Sequence, residues 1–260
     1  AMPLNFLHAF FAFGACVAPL LVLFCQGMGA NGWRIAMSVA SVLLVGALVF
    51  GLFMQIDSEK PAEGYHAPAG GGFGFFRERL FWQTTAIGFF YQAVEASMMG
   101  WLTSFYVDSG ALETGAAQIV TALLWIALLV GRFSCSVIAA HYKPWQMILV
   151  MCIGIAAFLA LLVCGTALPV LLAATIGLGL CMSGMYGTSV ANASAIFSRY
   201  PASMGIFVTL TGVGAAVAPT AVGLVADLAN IRFGFAVLLI AAVLLVIAAI
   251  INAAYFKRRA

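Results

Sequence analysis

Apolar residues run through this chain in stretches too long for the interior of a water-soluble domain. Eight segments stand out, at about 3–28, 33–54, 79–107, 114–141, 145–165, 168–198, 202–227 and 231–256. Each is long enough to cross the hydrocarbon layer of a bilayer, which takes roughly 20 helical residues. Several are longer still, which allows tilt or extension past the bilayer without fixing either. Polar breaks separate them at Gly29 to Gly32, Asp108 to Glu113, His141 to Pro144, Gly165 to Pro169, Arg199 to Pro201 and Asp227 to Asn230. A transmembrane β-barrel is excluded, because its strands alternate apolar and polar residues over roughly ten positions. Composition agrees: 65% of the residues are hydrophobic and 7% charged, against about a quarter charged in soluble domains. The expected fold class is all-α, a polytopic membrane protein with eight transmembrane helices.

Within that frame, part of the chain occurs twice. Gly14-Ala15-Cys16-Val17-Ala18-Pro19 returns as Gly214-Ala215-Ala216-Val217-Ala218-Pro219. After each copy comes an apolar run, then a polar break carrying Ala-Asn and an arginine: Ala30-Asn31-Gly32-Trp33-Arg34 and Ala229-Asn230-Ile231-Arg232. Segments one and two thus repeat as segments seven and eight, and the repeat unit is six helices. An even number keeps both units in the same direction across the membrane, giving parallel halves related by an axis along the membrane normal. The expected domains are 1–54, the last two helices of an N-terminal bundle; 55–78, a cytoplasmic linker; and 79–260, a complete six-helix bundle. Four helices are expected to precede Ala1 in a complete parent. The eight-helix chain by itself is not expected to carry substrate.

The stretch 55–78 is the one long polar segment, and its Pro61 and Gly70-Gly71-Gly72 give it linker character. Those glycines are not a phosphate loop, since no strand precedes them and no Lys-Ser/Thr follows. Basic residues set the orientation. Lys60, Arg77, Arg79, Arg132, Lys143, Arg199, Lys257, Arg258 and Arg259 gather on one side and only Arg34 and Arg232 on the other, which places both termini and the linker in the cytoplasm. No basic n-region of a signal peptide stands before Arg34. The six cysteines all lie in apolar runs without a C-x-x-C pair, so they read as small buried or lipid-facing side chains and not as a disulfide or zinc framework. The net charge is +3 and its basic residues are scattered, so nucleic acid is not an expected partner.

On these residues the chain resembles the last eight of twelve helices of a major facilitator superfamily transporter. Leu4-Asn5-Phe6-Leu7-His8 with Gly14-Ala15 and Pro19 is similar to the family's fifth helix, and Tyr91-Gln92-Ala93-Val94-Glu95 with Gly100-Trp101 to its seventh. Gly131-Arg132 resembles the cytoplasmic end of the eighth, and Gly177 to Thr188 the tenth. The branch it resembles is the sugar–proton symporter group that includes fucose and glucose carriers. Two departures matter. The antiporter pattern of Gly-Pro followed by a glycine pair is replaced by Ala18-Pro19-Leu20-Leu21, which argues against drug efflux. The loop after the eighth helix reads Ala140-His141-Tyr142-Lys143-Pro144, without the Asp and multiple basic residues usual there.

Glu95 is the only acidic residue deep in any span. A charge at that depth costs about 2.5–3.5 kcal/mol on insertion scales, so the neutral acid is favoured and the site suits proton uptake and release. Glu95 is the expected proton-coupling residue, against the plainer reading of a neutral acid bonded to a neighbouring helix. Thr84, Gly88, Gln92, Glu95 and Met99 recur at helical spacing, with Tyr91 beside them. Gln118, Thr121, Trp125 and Arg132 share a stripe on the next segment. Arg132 is the gating candidate, although an arginine near a helix end also snorkels without function. Gln118 and Trp125 are placed to meet a polar ligand, Trp125 by stacking on a sugar ring. Asn5 and His8 lie one turn apart, and Thr188 and Asn192 align at four-residue spacing. The expected substrate-binding set is Asn5, His8, Tyr91, Gln92, Gln118, Trp125, Thr188 and Asn192. Gly14, Gly212 and Gly214 read as packing or bending positions around the repeated proline.

No catalytic constellation, metal ligand set or cofactor motif is present, so an enzyme is not expected. The expected function is secondary active transport of a small polar solute, as proton-coupled sugar symport by alternating access in the bacterial inner membrane. The complete protein is expected to be monomeric, with the solute, the proton and the lipid bilayer as partners. The alternatives are efflux or carriage of another metabolite, an inactive truncated fragment, and a membrane scaffold or receptor.

Overall fold

The computed structural model describes residues 14, 17–29, 31–54 and 72–258. All regular structure among them is helical. In chain order the helices are α1 (Val17–Gln26), α2 (Gly32–Phe53), α3 (Arg79–Asp108), α4 (Thr114–Ile138), α5 (Pro144–Cys164), α6 (Leu168–Met182), α7 (Met185–Asn192), α8 (Ser194–Arg199), α9 (Pro201–Leu228) and α10 (Ile231–Lys257). A short 3₁₀ turn at Gly74–Arg77 leads into α3. Asn5, His8 and most of the expected linker lie outside the described residues.

Helix boundaries follow from local chemistry. Pro144, Pro169 and Pro201 stand in the first turns of α5, α6 and α9, where a fixed φ helps and a missing N–H costs nothing. The Asn230 side chain caps α10 by accepting the Phe233 N–H at 3.1 Å. Gly110 adopts φ +74° in the turn between α3 and α4, a backbone conformation that suits glycine.

Six helices are long and apolar enough to cross a membrane: α2, α4, α5, the α6–α7 unit Leu168–Asn192, α9 and α10. The chain is an integral membrane protein. Of the eight expected spans, segment 79–107 matches α3, which is 30 residues long but the most polar of the long helices. Segment 3–28 is described only as the ten-residue α1. Segment 168–198 is not one helix: it breaks at Ser183-Gly184 and again at Ala193. Gly184 at the first break sits too close to Cys135 for a side chain, since a Cβ there would stand 2.6 Å from Cys135 Sγ.

The six helices and helix pairs from α3 onward close into a ring in the order α3, α4, α6, α5, α10, α9, with α3 also packed against α10 across its middle. Their core joins Val94, Met98, Leu102 and Phe105 of α3 to Leu124 of α4, Ile155 of α5, Leu178 of α6 and Phe235 of α10. A second, aromatic-rich core of Phe75, Leu80, Phe81, Ile196 and Phe207 closes the Lys/Arg-rich end. α9 runs unbroken through Pro219, so the repeated proline does not interrupt that helix. The described cysteines carry no disulfide: Cys25 and Cys152 are buried, Cys135 and Cys181 half-buried and Cys164 exposed.

Candidate functional site

α3 packs on α4, α9 and α10 and is the most polar of the long helices. Glu95 and Tyr91 stand one turn apart on this helix, within electrostatic reach of each other. Tyr91 is buried and Glu95 half-buried. Arg132 of α4 lies within electrostatic reach of both. The structure thus brings together three of the residues singled out in the sequence.

Helix register explains why. Thr103 of α3 and Thr121 of α4 share a 2.7 Å hydrogen bond. Counting along these antiparallel helices from that pair places Trp125 level with Met99, and Arg132 level with Gln92, about one turn from Glu95. Gln92 is half-buried, whereas Trp125 is buried within the α4 face.

A connection that the sequence did not reveal runs from Tyr91 to α6. The Tyr91 hydroxyl donates to the Met182 carbonyl at 3.1 Å, at the last residue of α6 before the break. Carbonyls at a helix end lack their usual backbone partners. Ser183 serves the same break by donating to the Leu180 carbonyl at 2.7 Å. Tyr91 is therefore bonded to the interruption of the α6–α7 span, with the Glu95 acid one turn away along α3.

The remaining candidates lie elsewhere. Gln118 donates to Gln26 of α1 at 3.1 Å, so it ties the first described helix to α4. Asn192 of α7 donates to Asn252 of α10 at 3.1 Å, and Thr188 lies half-buried one turn earlier. These residues do not join the Glu95 cluster. Of the glycines around the repeated proline, Gly214 is a packing position: its Cα approaches the Phe89 carbonyl too closely for a side chain, while Gly212 faces open space and Gly14 meets nothing within 4 Å among the described residues.

Several buried polar atoms have no hydrogen-bond partner among the described residues: both side-chain heteroatoms of Gln83, the hydroxyls of Thr84, Thr85 and Ser189, Gln118 Oε1 and Asn252 Nδ2. Each such group costs about 1–3 kcal/mol if left dry. Gln83, Thr85, Ser189 and Asn252 were not recognised as candidates in the sequence. The usable signal was simply a polar residue inside an apolar run. Among the described residues no group of three or more His, Cys, Asp or Glu is arranged to hold a metal ion.

A polar helix carrying a half-buried acid, a broken sixth helix and a closed ring of six helices and helix pairs together invite comparison with known membrane folds. The chain resembles the crystal structure of a major facilitator superfamily transporter, FucP, in the outward conformation, with a TM-score of 0.64. The fold is a partial major-facilitator fold. Sequence identity to that structure is 20%, and the match covers 85% of this chain. It covers 54% of FucP, so the chain spans about half of that transporter's length. No protein-family model and no curated protein sequence matches the chain.

Proposed function

We propose that this protein is a secondary active transporter in which Glu95 takes up and releases the coupling proton, and that its solute is a small sugar. The observation that carries this reading is Glu95 one turn from Tyr91, which bonds the Met182 carbonyl, with Arg132 in electrostatic reach, in a partial major-facilitator fold. Tyr91 has one hydroxyl hydrogen. With Glu95 protonated, the acid donates to the Tyr91 oxygen and Tyr91 keeps its bond to the Met182 carbonyl. With Glu95 ionised, the carboxylate competes for that hydrogen and the carbonyl at the α6 end is released. Arg132 offsets the negative charge while the proton is away. Protonation thereby biases the break between α6 and α7, a natural bending point. Alternating access in such folds is a rocking of bundles around a midplane site.

In this reading Gln92 and Trp125, nearest to Glu95, contact the solute, and Thr188 and Asn192 line the route towards the Lys/Arg-rich end. That end faces the cytoplasm by the positive-inside rule, in the inner membrane of a bacterium. The N-terminal bundle, of which residues 1–54 are the last two helices, and the six-helix bundle 79–260 are the parts that move, joined through 55–78.

The test is transport by the full-length protein in proteoliposomes with an imposed proton gradient, using labelled fucose, glucose and galactose. Gradient-driven accumulation of one sugar is expected. Glu95→Gln should abolish accumulation yet leave solute exchange intact. Undiminished gradient-driven accumulation in Glu95→Gln would remove Glu95 from the mechanism, and absence of gradient-driven uptake of every sugar would overturn the sugar–proton assignment.

A further inference from the structure

A cavity of about 610 Å³ opens at the Lys/Arg-rich end, between the start of α3 and the end of α10. Its polar wall is Arg77, Arg79 and Arg258, with Glu78 the single acidic group. All three arginines are exposed. Glu78 is turned to a different partner, Arg199 outside the cavity, at 4.0 Å. The other wall is Ile251, Ala254 and Tyr255 of α10. The space is therefore strongly cationic on one side and apolar on the other.

We propose that this cavity holds the phosphodiester headgroup of an anionic phospholipid. Charge is one reason: guanidinium groups bind phosphate oxygens in pairs, and basic pockets at the ends of spanning helices suit acidic headgroups. The apolar wall is the other, and it separates a lipid from a free phosphate. From Ile251 an exposed apolar stripe runs back along α10 through Ile250, Ile247, Val243 and Ile240, which are between 46% and 64% exposed. A headgroup seated among the arginines has its acyl chains laid along that stripe. Nearby, Lys257 Nζ stands 5.9 Å from the Trp145 ring, the cation and indole pairing expected at headgroup depth.

The site is tested with purified full-length protein in detergent, measuring competition between fluorescent phosphatidylglycerol and phosphatidylcholine. Phosphatidylglycerol should bind more tightly. Arg77→Gln and Arg258→Gln should each lower that preference about fivefold, and the double variant should erase it, while Arg34→Gln at the opposite end leaves it unchanged. These side chains are exposed, so folding is preserved. Equal affinity for both lipids, or an equal loss in Arg34→Gln, would overturn the proposal. Displacement of the lipid by inorganic phosphate at comparable concentration would also overturn it, by identifying a soluble-anion site.

Discussion

The helix pairs α1–α2 and α9–α10 begin from the same motif and end in very different surroundings. Asn230 caps α10 with its side chain, whereas Asn31 makes no side-chain cap for α2. Arg232 donates to the Val163 and Gly165 carbonyls at 3.2 and 2.6 Å and lies over the Phe105 ring at 5.5 Å. Among the described residues Arg34 reaches its neighbour, with its guanidinium 5.2 Å from the Trp33 ring. Gly214 lets α9 meet α3 at Phe89, and Gly14 meets nothing within 4 Å among the described residues. Against the described residues α2 buries Gly32 and Ala36 alone along its 22 residues, while α10 packs on α3, α5 and α9. Among the described residues, then, the same local motif has packing partners in α9–α10 and few in α1–α2.

Substitutions made in matched pairs sharpen or break that contrast. The largest effect is expected from Gly214→Leu. Its side chain would be driven into the Phe89 backbone, and overpacking typically costs about 1–3 kcal/mol or more where backbone cannot yield. Thermal unfolding in nanodiscs should show a clear loss for Gly214→Leu and none for Gly14→Leu; equal losses would mean the two glycines are equivalent. Next comes Arg232→Ala, which strips a cation from the carbonyls at the end of α5. Charge-assisted hydrogen bonds are worth about 1.5–3 kcal/mol, and a helix C-terminus favours a positive group. Arg34→Ala should change stability by less than ~0.5 kcal/mol, and hydrogen exchange at the α5 C-terminus should rise only in the Arg232 variant. The smallest effect belongs to Asn230→Ala, about 1 kcal/mol for a lost cap. Asn31→Ala should be silent in the same melting experiment, and a matching loss there would show that α2 is capped after all.

Most of the fold was legible because lipid imposes a simple demand: continuous apolar helices of sufficient length. The ends of α3, α5, α9 and α10 fall within two residues of their expected positions, since prolines and short polar breaks mark them. The interruption at Ser183-Gly184 was not legible, because small residues inside an apolar run read as helix until a neighbour such as Cys135 is placed against them. Glu95 could be singled out as the one acid deep in a span, and Arg132 by its stripe. Their convergence with Tyr91 follows from pairing α3 with α4, and the bond from Tyr91 to Met182 joins residues 91 positions apart. Sequence spacing carries no trace of such a contact. Arg232 was read only as a marker of topology, yet it secures the end of α5.

The polarity of α3 has a consequence for biosynthesis. Its shelter comes largely from α9 and α10, and α9 begins only after about another 90 residues have been added. At ordinary elongation rates that delay lasts on the order of 5–20 s. During that interval the least greasy span of the protein sits without its final companions, and a nascent chain in that condition is a natural client for insertion chaperones.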